Sequence, residues 1–457
     1  MLSEKSLNII EIPAVQKKIN IHKRFIFTIY RKYFKKIVPI AKLVKFLNVK
    51  LIPYIVVYKN IWTGSSSKRF AFRQRIIIKQ NEFVRNHCLN IKYLFKETTV
   101  KAITPDVYPI EDIKNLIHPQ GEFMHPSVYI SAVNNAEIYG GSNLVFHKDM
   151  AIYHDLYDFN HDYTSEELHR YMQIHPKQNK LRVLSYDKNY VEVKSAATFL
   201  DATSNNYAHW LSEVLPRIAL FCTKNEYKNI PIIINQGLHK NILDSLSFIL
   251  DDNRVVYTLP RGRMIKAETL YLTSATGYVP FDTRPHKDSI HRHDGIFSPE
   301  AIKLMRDKIL KHIEKIKNDK ALPKKVLVMR NSTARGVQNI IELKEILMAD
   351  GFEIVEPEKL SFIEQVQVFN NADHIVAPTG AALGSAIFCS SSAKVTVMMG
   401  KHKNMIYRYW AEMLQSVGVK LSYLLGEIVG DKTLGIHGDY IIDKKDLISL
   451  LENAENK

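Results

Sequence analysis

The stretch GFEIVEPEKLSFIEQVQVFNNADHIVAPTGAALGSAIF, residues 351–388, decides the fold class. It contains an apolar strand, FEIV, then a helix whose start is marked by the capping box of Ser361 and Glu364, and then a second apolar strand, HIVA, at 374. Strands that alternate with helices are typical of a doubly wound parallel sheet, so we predict an α/β fold. The same pattern predicts strands at 324 (KKVLVM) and 394 (KVTVM), and a helix at 340–350 that Asn339 and Glu342 announce and Gly351 ends.

A second α/β unit precedes this one. A helical stretch, NNYAHWLSEVLPRIALF at 205–221, is followed by predicted strands at 231, 255 and 269 and a helix at 240. Ser298 and Pro299 begin a helix that leads into the strand at 324. Upstream, residues 127–155 alternate in short segments that predict hairpins, with turn signals at Asn134, Asn135, Gly140 and Gly141. Two units in series with a cleft between them suit a transferase that binds one substrate on each lobe.

The positive charge of the chain is concentrated near its start. The chain has 63 Lys and Arg residues and 47 Asp and Glu residues. Residues 1–100 alone contain 21 of the basic and 4 of the acidic residues, which is a net charge of +17. The rest of the chain therefore carries a net charge of −1. Such a local basic surface suits phosphates or anionic lipid. The composition, 46% hydrophobic and 24% charged, excludes wholesale disorder.

Residues 21–47 predict a basic amphipathic helix, broken near Pro39. Lys and Arg lie between apolar residues at helical spacing, and this interleaving favours lipid over nucleic acid. We therefore expect residues 20–60 to contact an anionic membrane surface. The alternative is an ordinary helix packed on the first lobe. The apolar positions recur every four residues, at Phe25, Ile29, Tyr33 and Ile37.

Other segments indicate a cytoplasmic protein. The first residues include Glu4 and Glu11 and lack the apolar core of a secretory signal. The apolar run LIPYIVVY at 51–58 is far shorter than the roughly 18 to 20 residues of a membrane span. Three scattered cysteines match neither a disulfide framework nor a zinc site: Cys88, Cys222 and Cys389.

Several catalytic motifs are absent. The sequence has no GxxxxGK[ST], GxGxxG, GxSxG or HExxH motif, which argues against kinase, dehydrogenase and serine hydrolase functions. It also has no Asp-x-Asp pair, which argues weakly against a metal ion that bridges a nucleotide diphosphate. We therefore expect no metal and no cofactor.

Three groups of residues are candidates for chemistry. His209 and Glu213 are four apart on a helix, so the carboxylate can hold one imidazole nitrogen while the other acts as a base, although such pairs are commonly structural. The loop APTGAALGS offers backbone amides at Gly380, Ala381 and Ala382 to an anion, or it is a tight turn that needs small residues. The third group follows a predicted strand end, where guanidinium groups suit phosphate oxygens: Arg330 and Arg335.

The combination of these motifs resembles the family 61 glycosyltransferases of the capsular-polysaccharide type. The similarity extends over residues 105–400 and rests on NNYAHWLSEVLPR, on the arginines of VLVMRNSTARG with Asn339, and on 351–388. The hairpin segment VYISAVNNAEIYGGSNLVF is similar to first-domain strands of that family. The resemblance implies a GT-B architecture, a nucleotide-sugar donor held mainly by the C-terminal lobe, and inverting transfer.

The resemblance also assigns roles position by position. His209 and Glu213 match the catalytic positions, and Thr379 and Ser385 stand where the family often has His and Asn, which puts donor contacts by these two side chains in doubt. The donor-binding positions implied are Arg330, Arg335, Asn339, Glu358, Gln365, Thr379, Gly380, Ala381 and Ala382.

We therefore predict an α/β, GT-B-like protein with two Rossmann-like lobes, a donor cleft between them and a basic amphipathic N-terminal region. Its expected function is inverting transfer of a sugar from a nucleotide sugar to a lipid-linked or growing bacterial glycan, capsule or lipopolysaccharide, at the inner face of the cytoplasmic membrane. A catalytically inactive, membrane-associated subunit of a polysaccharide-assembly complex is the alternative, and a nucleic-acid binder is a third. The predicted divisions are 1–100 (basic region), 101–295 (acceptor lobe), 296–430 (donor lobe) and 431–457 (final strand and helix).

Overall fold

The computed structural model describes most of the chain outside residues 15–73. The predicted amphipathic helix at 21–47 lies outside the described residues. These residues are 7–14, 74–88, 90–117, 121–168, 172–175, 179–183, 190–251, 253–280, 282–283, 295–316, 321–330, 335–402, 407–430 and 437–455.

The described strands are β1 Asn8–Glu11, β2 Gln74–Lys79, β3 Ile91–Phe95, β4 Thr98–Lys101, β5 Asp106–Tyr108, β6 Glu122–His125, β7 Val128–Tyr139, β8 Val145–His147, β9 Met150–Tyr153, β10 Asp162–Tyr163, β11 Met172–His175, β12 Lys180–Val183, β13 Tyr190–Thr198, β14 Ile232–Asn235, β15 Val255–Leu259, β16 Met264–Thr273, β17 Gly277–Tyr278, β18 Asp282–Thr283, β19 Ile296–Phe297, β20 Lys325–Val328, β21 Glu353–Val355, β22 His374–Pro378, β23 Lys394–Gly400, β24 Lys420–Val429 and β25 Asp439–Ile441.

The described α-helices are α1 Gln80–His87, α2 Ser165–Leu168, α3 (Tyr207–His209, a π-helical turn Trp210–Val214, and Leu215–Phe221), α4 Lys240–Ser247, α5 Pro299–Ile313, α6 Ile340–Ala349, α7 Phe362–Asn371, α8 Arg408–Gln415 and α9 Lys444–Glu455. Four 3₁₀ segments are Ile110–Asn115, Asn225–Tyr227, Pro357–Lys359 and Ala381–Phe388.

The first sheet is mixed. Its parallel part has the order β1-β15-β14-β13-β16, and β7 to β9 continue it in antiparallel pairing. Strands β13 to β16 occur in that order along the chain, but in the sheet they lie in the order β15-β14-β13-β16. This order is that of a Rossmann-like half, and the Rossmann-like prediction therefore describes only part of the sheet.

The second sheet has five parallel strands in the order β21-β20-β22-β23-β24, with β25 antiparallel at one edge. The order reverses between β20 and β22, and such switch points are where doubly wound sheets bind ligands, outside the carboxyl ends of the strands. The predicted strands at 324, 353, 374 and 394 are confirmed.

Capping side chains and a glycine determine where several helices begin and end. Ser361 and Glu364 form the predicted capping box of α7, and the Ser298 hydroxyl accepts from the Ala301 amide at the start of α5. Gly351 takes the left-handed conformation, φ 85°, just after α6, as predicted.

Four expectations need correction. Strand β7 runs through Asn134 and Asn135 without turning, because this long strand pairs with β16 on both sides of them. Strand β5, assigned above to the first lobe, pairs with β24 of the second sheet. The region 1–100 contributes β1, β2 and β3 to the first sheet in addition to its basic segment. Asn339 stands at the N-cap position of α6 as predicted, but its side chain makes no capping hydrogen bond, because its amide bridges the backbone N–H and C=O of Ile442.

One apolar core connects the two sheets. Buried residues of α3, α5 and the 381–388 segment belong to a single cluster, including Trp210, Ile302 and Ile387. The start of α3 is thereby held against the second sheet.

Candidate active site

Helix α3 positions the predicted catalytic pair. The Asn206 side chain accepts from the Ala208 amide at the helix start, 3.0 Å away. The π-helical turn Trp210–Val214 follows, and such turns occur frequently at functional sites. Nδ1 of His209 lies 2.5 Å from Oε1 of Glu213, so the predicted contact between them is present.

The carboxylate determines which nitrogen of His209 is available. Since Nδ1 donates to Glu213, the lone pair lies on Nε2, which has no hydrogen-bond partner in the described part of the chain. The His209 side chain is 18% exposed and Glu213 only 7%, so the base can be reached while its partner is buried.

A second buried carboxylate, that of Asp201, is connected to this pair through Arg217. Arg217 donates from Nε to the carbonyl of Glu213 at 2.8 Å and from Nη2 to Asp201 at 3.3 Å. Asp201 also accepts from the amide of Asn143 at 2.8 Å and from the backbone and hydroxyl of Thr203. Neither Asp201 nor Arg217 was predicted as a site residue, although Arg217 ends the NNYAHWLSEVLPR motif.

Electrostatics favour the protonated form of His209. Burial by itself lowers the pKa of the imidazole, but the charge and hydrogen bond of Glu213, assisted by Asp201, outweigh it and raise the pKa above its ordinary value. A proton taken up at Nε2 would therefore be stabilised.

The second sheet contributes an arginine packed on a glycine. Arg330 directly follows the end of β20, and its Nη1 donates to the carbonyl of Thr379 at 2.9 Å. A Cβ placed on Gly380 would lie 3.3 Å from three atoms of the guanidinium group. Arg330 and the loop after β22 therefore meet at the switch point of the sheet.

Arg335 lies near Arg330 without a compensating acid. In the described part of the chain neither guanidinium has a carboxylate within 4 Å. Burial, together with the Arg330 charge, lowers the pKa of Arg335, which also adopts a left-handed backbone with φ 58°. Two adjacent cations without an acidic partner favour the binding of an anion.

The segment Ala381–Phe388 begins beside this pair of cations. The first amides of a helix have no acceptor within it, and no described residue accepts from the N–H of Ala381 or Ala382. These two N–H groups and the arginines offer donors suited to a diphosphate.

Direct contacts connect the base to this anion site. The hydroxyl of Ser385 lies 3.2 Å from that of Tyr207, and a Cβ on Gly384 would lie 2.9 Å from Cα of Ala208. The backbone of α3 thus rests on the 381–388 segment one residue before His209. Tyr409 of α8 also stacks on the His209 ring, with centroids 6.2 Å apart and planes 20° from parallel.

Two predicted donor-binding residues, Asn339 and Gln365, have other surroundings. The amide of Asn339 is engaged by Ile442, and Gln365 is buried with its Nε2 donating to the Pro357 carbonyl at 2.8 Å. Glu358 is exposed in the 3₁₀ turn after β21, at the same sheet edge as Arg330.

The two departures from the usual family pattern also have partners. Thr379 is 3% exposed, and its hydroxyl accepts from Nε1 of Trp410 at 3.1 Å. Ser385 is fully buried beside Gln365. The carbonyl of Thr379, rather than its side chain, contacts the arginine.

Comparison with known proteins supports the resemblance. Residues 207–396 match the model of the family described as Glycosyltransferase 61. This segment is similar to the glycosyltransferases of family 61. It extends from the start of α3 into β23 and therefore includes the catalytic candidates and the anion loop. No protein of curated function matches the chain.

Two observations concern metals and membranes. Among the residues that the structure describes, no group of three or more His, Cys, Asp or Glu side chains is placed so that it could hold a metal ion. None of its described helices combines the length and the apolar character needed to cross a bilayer.

Proposed function

We propose that this protein is an inverting, nucleotide-sugar-dependent glycosyltransferase that adds a sugar to a hydroxyl of a lipid-linked or growing bacterial surface glycan, of the capsule or lipopolysaccharide type. The observation that carries the proposal is the packing of α3, with its His209–Glu213 pair, on the segment that begins at Gly380 beside Arg330. The proposed base and the proposed anion site therefore lie on elements that contact each other directly.

The donor diphosphate occupies the anion site. Arg330 and Arg335 neutralise its charge, and the N–H groups of Ala381 and Ala382 donate to its oxygens. Glu358 follows the second strand of this sheet, where a carboxylate suits ribose hydroxyls. The arginine pair supplies the positive charge that a divalent metal supplies elsewhere, so transfer is metal-independent.

Transfer is a single displacement. Nε2 of His209 takes the proton of the acceptor hydroxyl as that oxygen attacks the anomeric carbon from the face opposite the diphosphate. The bond between the anomeric carbon and the phosphate oxygen breaks, the diphosphate leaves with its electron pair, and the configuration inverts. Glu213 stabilises the imidazolium, while the arginines and amides stabilise the departing anion.

The two sheets and the basic segment within residues 20–60 fit the same function. The two sheets correspond to a GT-B-like pair of lobes with the donor on the second. The basic segment within residues 20–60 holds the enzyme on the anionic inner face of the bacterial cytoplasmic membrane, close to a lipid-linked acceptor.

The test is release of nucleoside diphosphate from a panel of nucleotide sugars, with lipid-linked glycans as acceptors, in the presence and absence of excess EDTA. We expect one donor to be consumed at the same rate in both conditions and the anomeric configuration of the product to be inverted by NMR. Activity that disappears with EDTA and returns with manganese would contradict the metal-independent mechanism. Retained configuration would contradict the single displacement.

A further inference from the structure

Two neighbouring aromatic residues of α8 contact both halves of the candidate site. The Tyr409 ring stacks on His209, and the next residue, Trp410, donates from its indole nitrogen to the Thr379 hydroxyl. The carbonyl of the same Thr379 accepts from Arg330. The chain of contacts from Arg330 to His209 therefore passes through one threonine and one dipeptide.

Packing makes this connection rigid. The Tyr409 ring also contacts Phe297, whose ring centroid is 5.8 Å away, and Phe297 is fully buried. Trp410 is 3% exposed, and its ring centroid lies 4.4 Å from that of Tyr409. Aromatic rings that pack this closely restrict each other's rotation.

We propose that Tyr409 and Trp410 are positioning residues that couple occupation of the anion site to the orientation of His209. This inference rests on the proposed function. When a diphosphate draws Arg330 and the Thr379–Gly380 backbone toward itself, Trp410 follows the threonine hydroxyl, and Tyr409 fixes the imidazole for proton transfer. In this proposal Tyr409 acts through the His209 ring.

The first test separates positioning from binding. We expect Tyr409→Ala to lower kcat by about tenfold to 100-fold, as small misplacements of a catalytic group do, with the donor KM unchanged. Tyr409→Phe should restore kcat to within about twofold, because the stacked ring is what positions the base. A wild-type kcat in Tyr409→Ala would overturn the proposal.

The second test needs no turnover. The His209 imidazole is followed by NMR in the full-length protein as a nucleoside diphosphate is added. We expect its signal to shift in the wild type, and to lose that response in Trp410→Phe although the diphosphate still binds by calorimetry. A response in Trp410→Phe equal to that of the wild type would overturn the proposal.

A matched control is provided by Tyr129 of β7, a buried aromatic residue whose hydroxyl donates to Asp155 at 2.8 Å and which takes no part in these contacts. Tyr129→Phe loses one buried hydrogen bond, as Trp410→Phe does, and should keep the His209 response. The failures are distinguishable: a wild-type protein that binds no nucleoside diphosphate contradicts the proposed function, whereas binding without any response at His209 contradicts only the coupling.

Discussion

At the scale of single residues, His209 is distinguished by its two ring nitrogens. Nδ1 is held by Glu213, while Nε2 is unpartnered among the described residues. Arg217 donates to the backbone carbonyl of Glu213 and to Asp201, so buried groups hold the backbone that carries the Glu213 carboxylate. The arrangement suits a base that must accept a proton at one defined atom.

Removal of the base is the simplest test at this scale. We expect His209→Ala to lower turnover by about two to four decades, the range of general-base losses, while donor binding stays nearly unchanged. The control is His312→Ala, because His312 lies on α5 and contacts the Lys308 carbonyl outside the site. Wild-type turnover in His209→Ala would refute the assignment.

The Glu213 carboxylate sets the pH dependence. Because it raises the pKa of His209, the neutral base of the wild type is lost as pH falls through a value above the ordinary pKa of about 6.5. In Glu213→Gln that pKa falls, so the acidic limb of kcat/KM moves to lower pH. Turnover on the alkaline side also decreases, because the imidazolium is less stabilised. A pH profile whose acidic limb stays in place would disprove this role for Glu213.

At the scale of elements, the loop after β22 depends on the absence of a side chain at Gly380. Its backbone is extended, with φ 169°, so alanine fits without strain. The added Cβ would nevertheless lie 3.3 Å from the Arg330 guanidinium and intrude on the anion site. We expect Gly380→Ala to weaken nucleoside diphosphate binding about tenfold, which is about 1.4 kcal/mol, by calorimetry.

The folding control for Gly380→Ala is the melting temperature of the unliganded variant, which should equal that of the wild type. An unchanged dissociation constant would mean that the anion does not approach this loop.

Local sequence signals predicted most of the elements around the site. The capping box of Ser361 and Glu364 and the left-handed Gly351 depend on contacts within a few residues, so the sequence alone was sufficient. The pairing of β5 with β24 depends on residues more than three hundred positions apart, which no local pattern encodes.

The same distinction applies to the site. The helical spacing of His209 and Glu213 predicted their contact, because residues four apart on a helix lie on one face. Asn339 was assigned to the donor, but its partner Ile442 is distant in sequence, and Tyr409 was missed because its stacking on His209 is a tertiary contact.

At the scale of the whole molecule, the concentration of positive charge near the start of the chain predicts an anionic partner outside the nucleotide cleft. Residues 1–100 carry a net charge of +17, whereas the rest of the chain carries −1. At about 1 kcal/mol for each basic residue near an anionic leaflet, a few contacts would retain the protein at a membrane. We expect the full-length protein to co-sediment with anionic but not neutral vesicles, less so at high salt.

The control for vesicle binding is a variant in which lysines of residues 20–60 are replaced by glutamine, which should remain in the supernatant. Failure of the intact protein to bind anionic vesicles at low salt would leave the segment as a packing or protein-binding surface.

The central claim is that a nucleotide sugar binds at Arg330 and the Gly380 loop, and a thermal-shift titration tests it most directly. At a hundred times its dissociation constant, a ligand adds about 2.7 kcal/mol of apparent stability. We predict that one nucleoside diphosphate or nucleotide sugar of a panel raises the Tm of the wild type and of Arg85→Ala, a change at an exposed arginine of α1. The same ligand should fail to do so for Arg330→Ala. A panel that leaves the wild-type Tm unchanged, or a shift of equal size in Arg330→Ala, would contradict the claim.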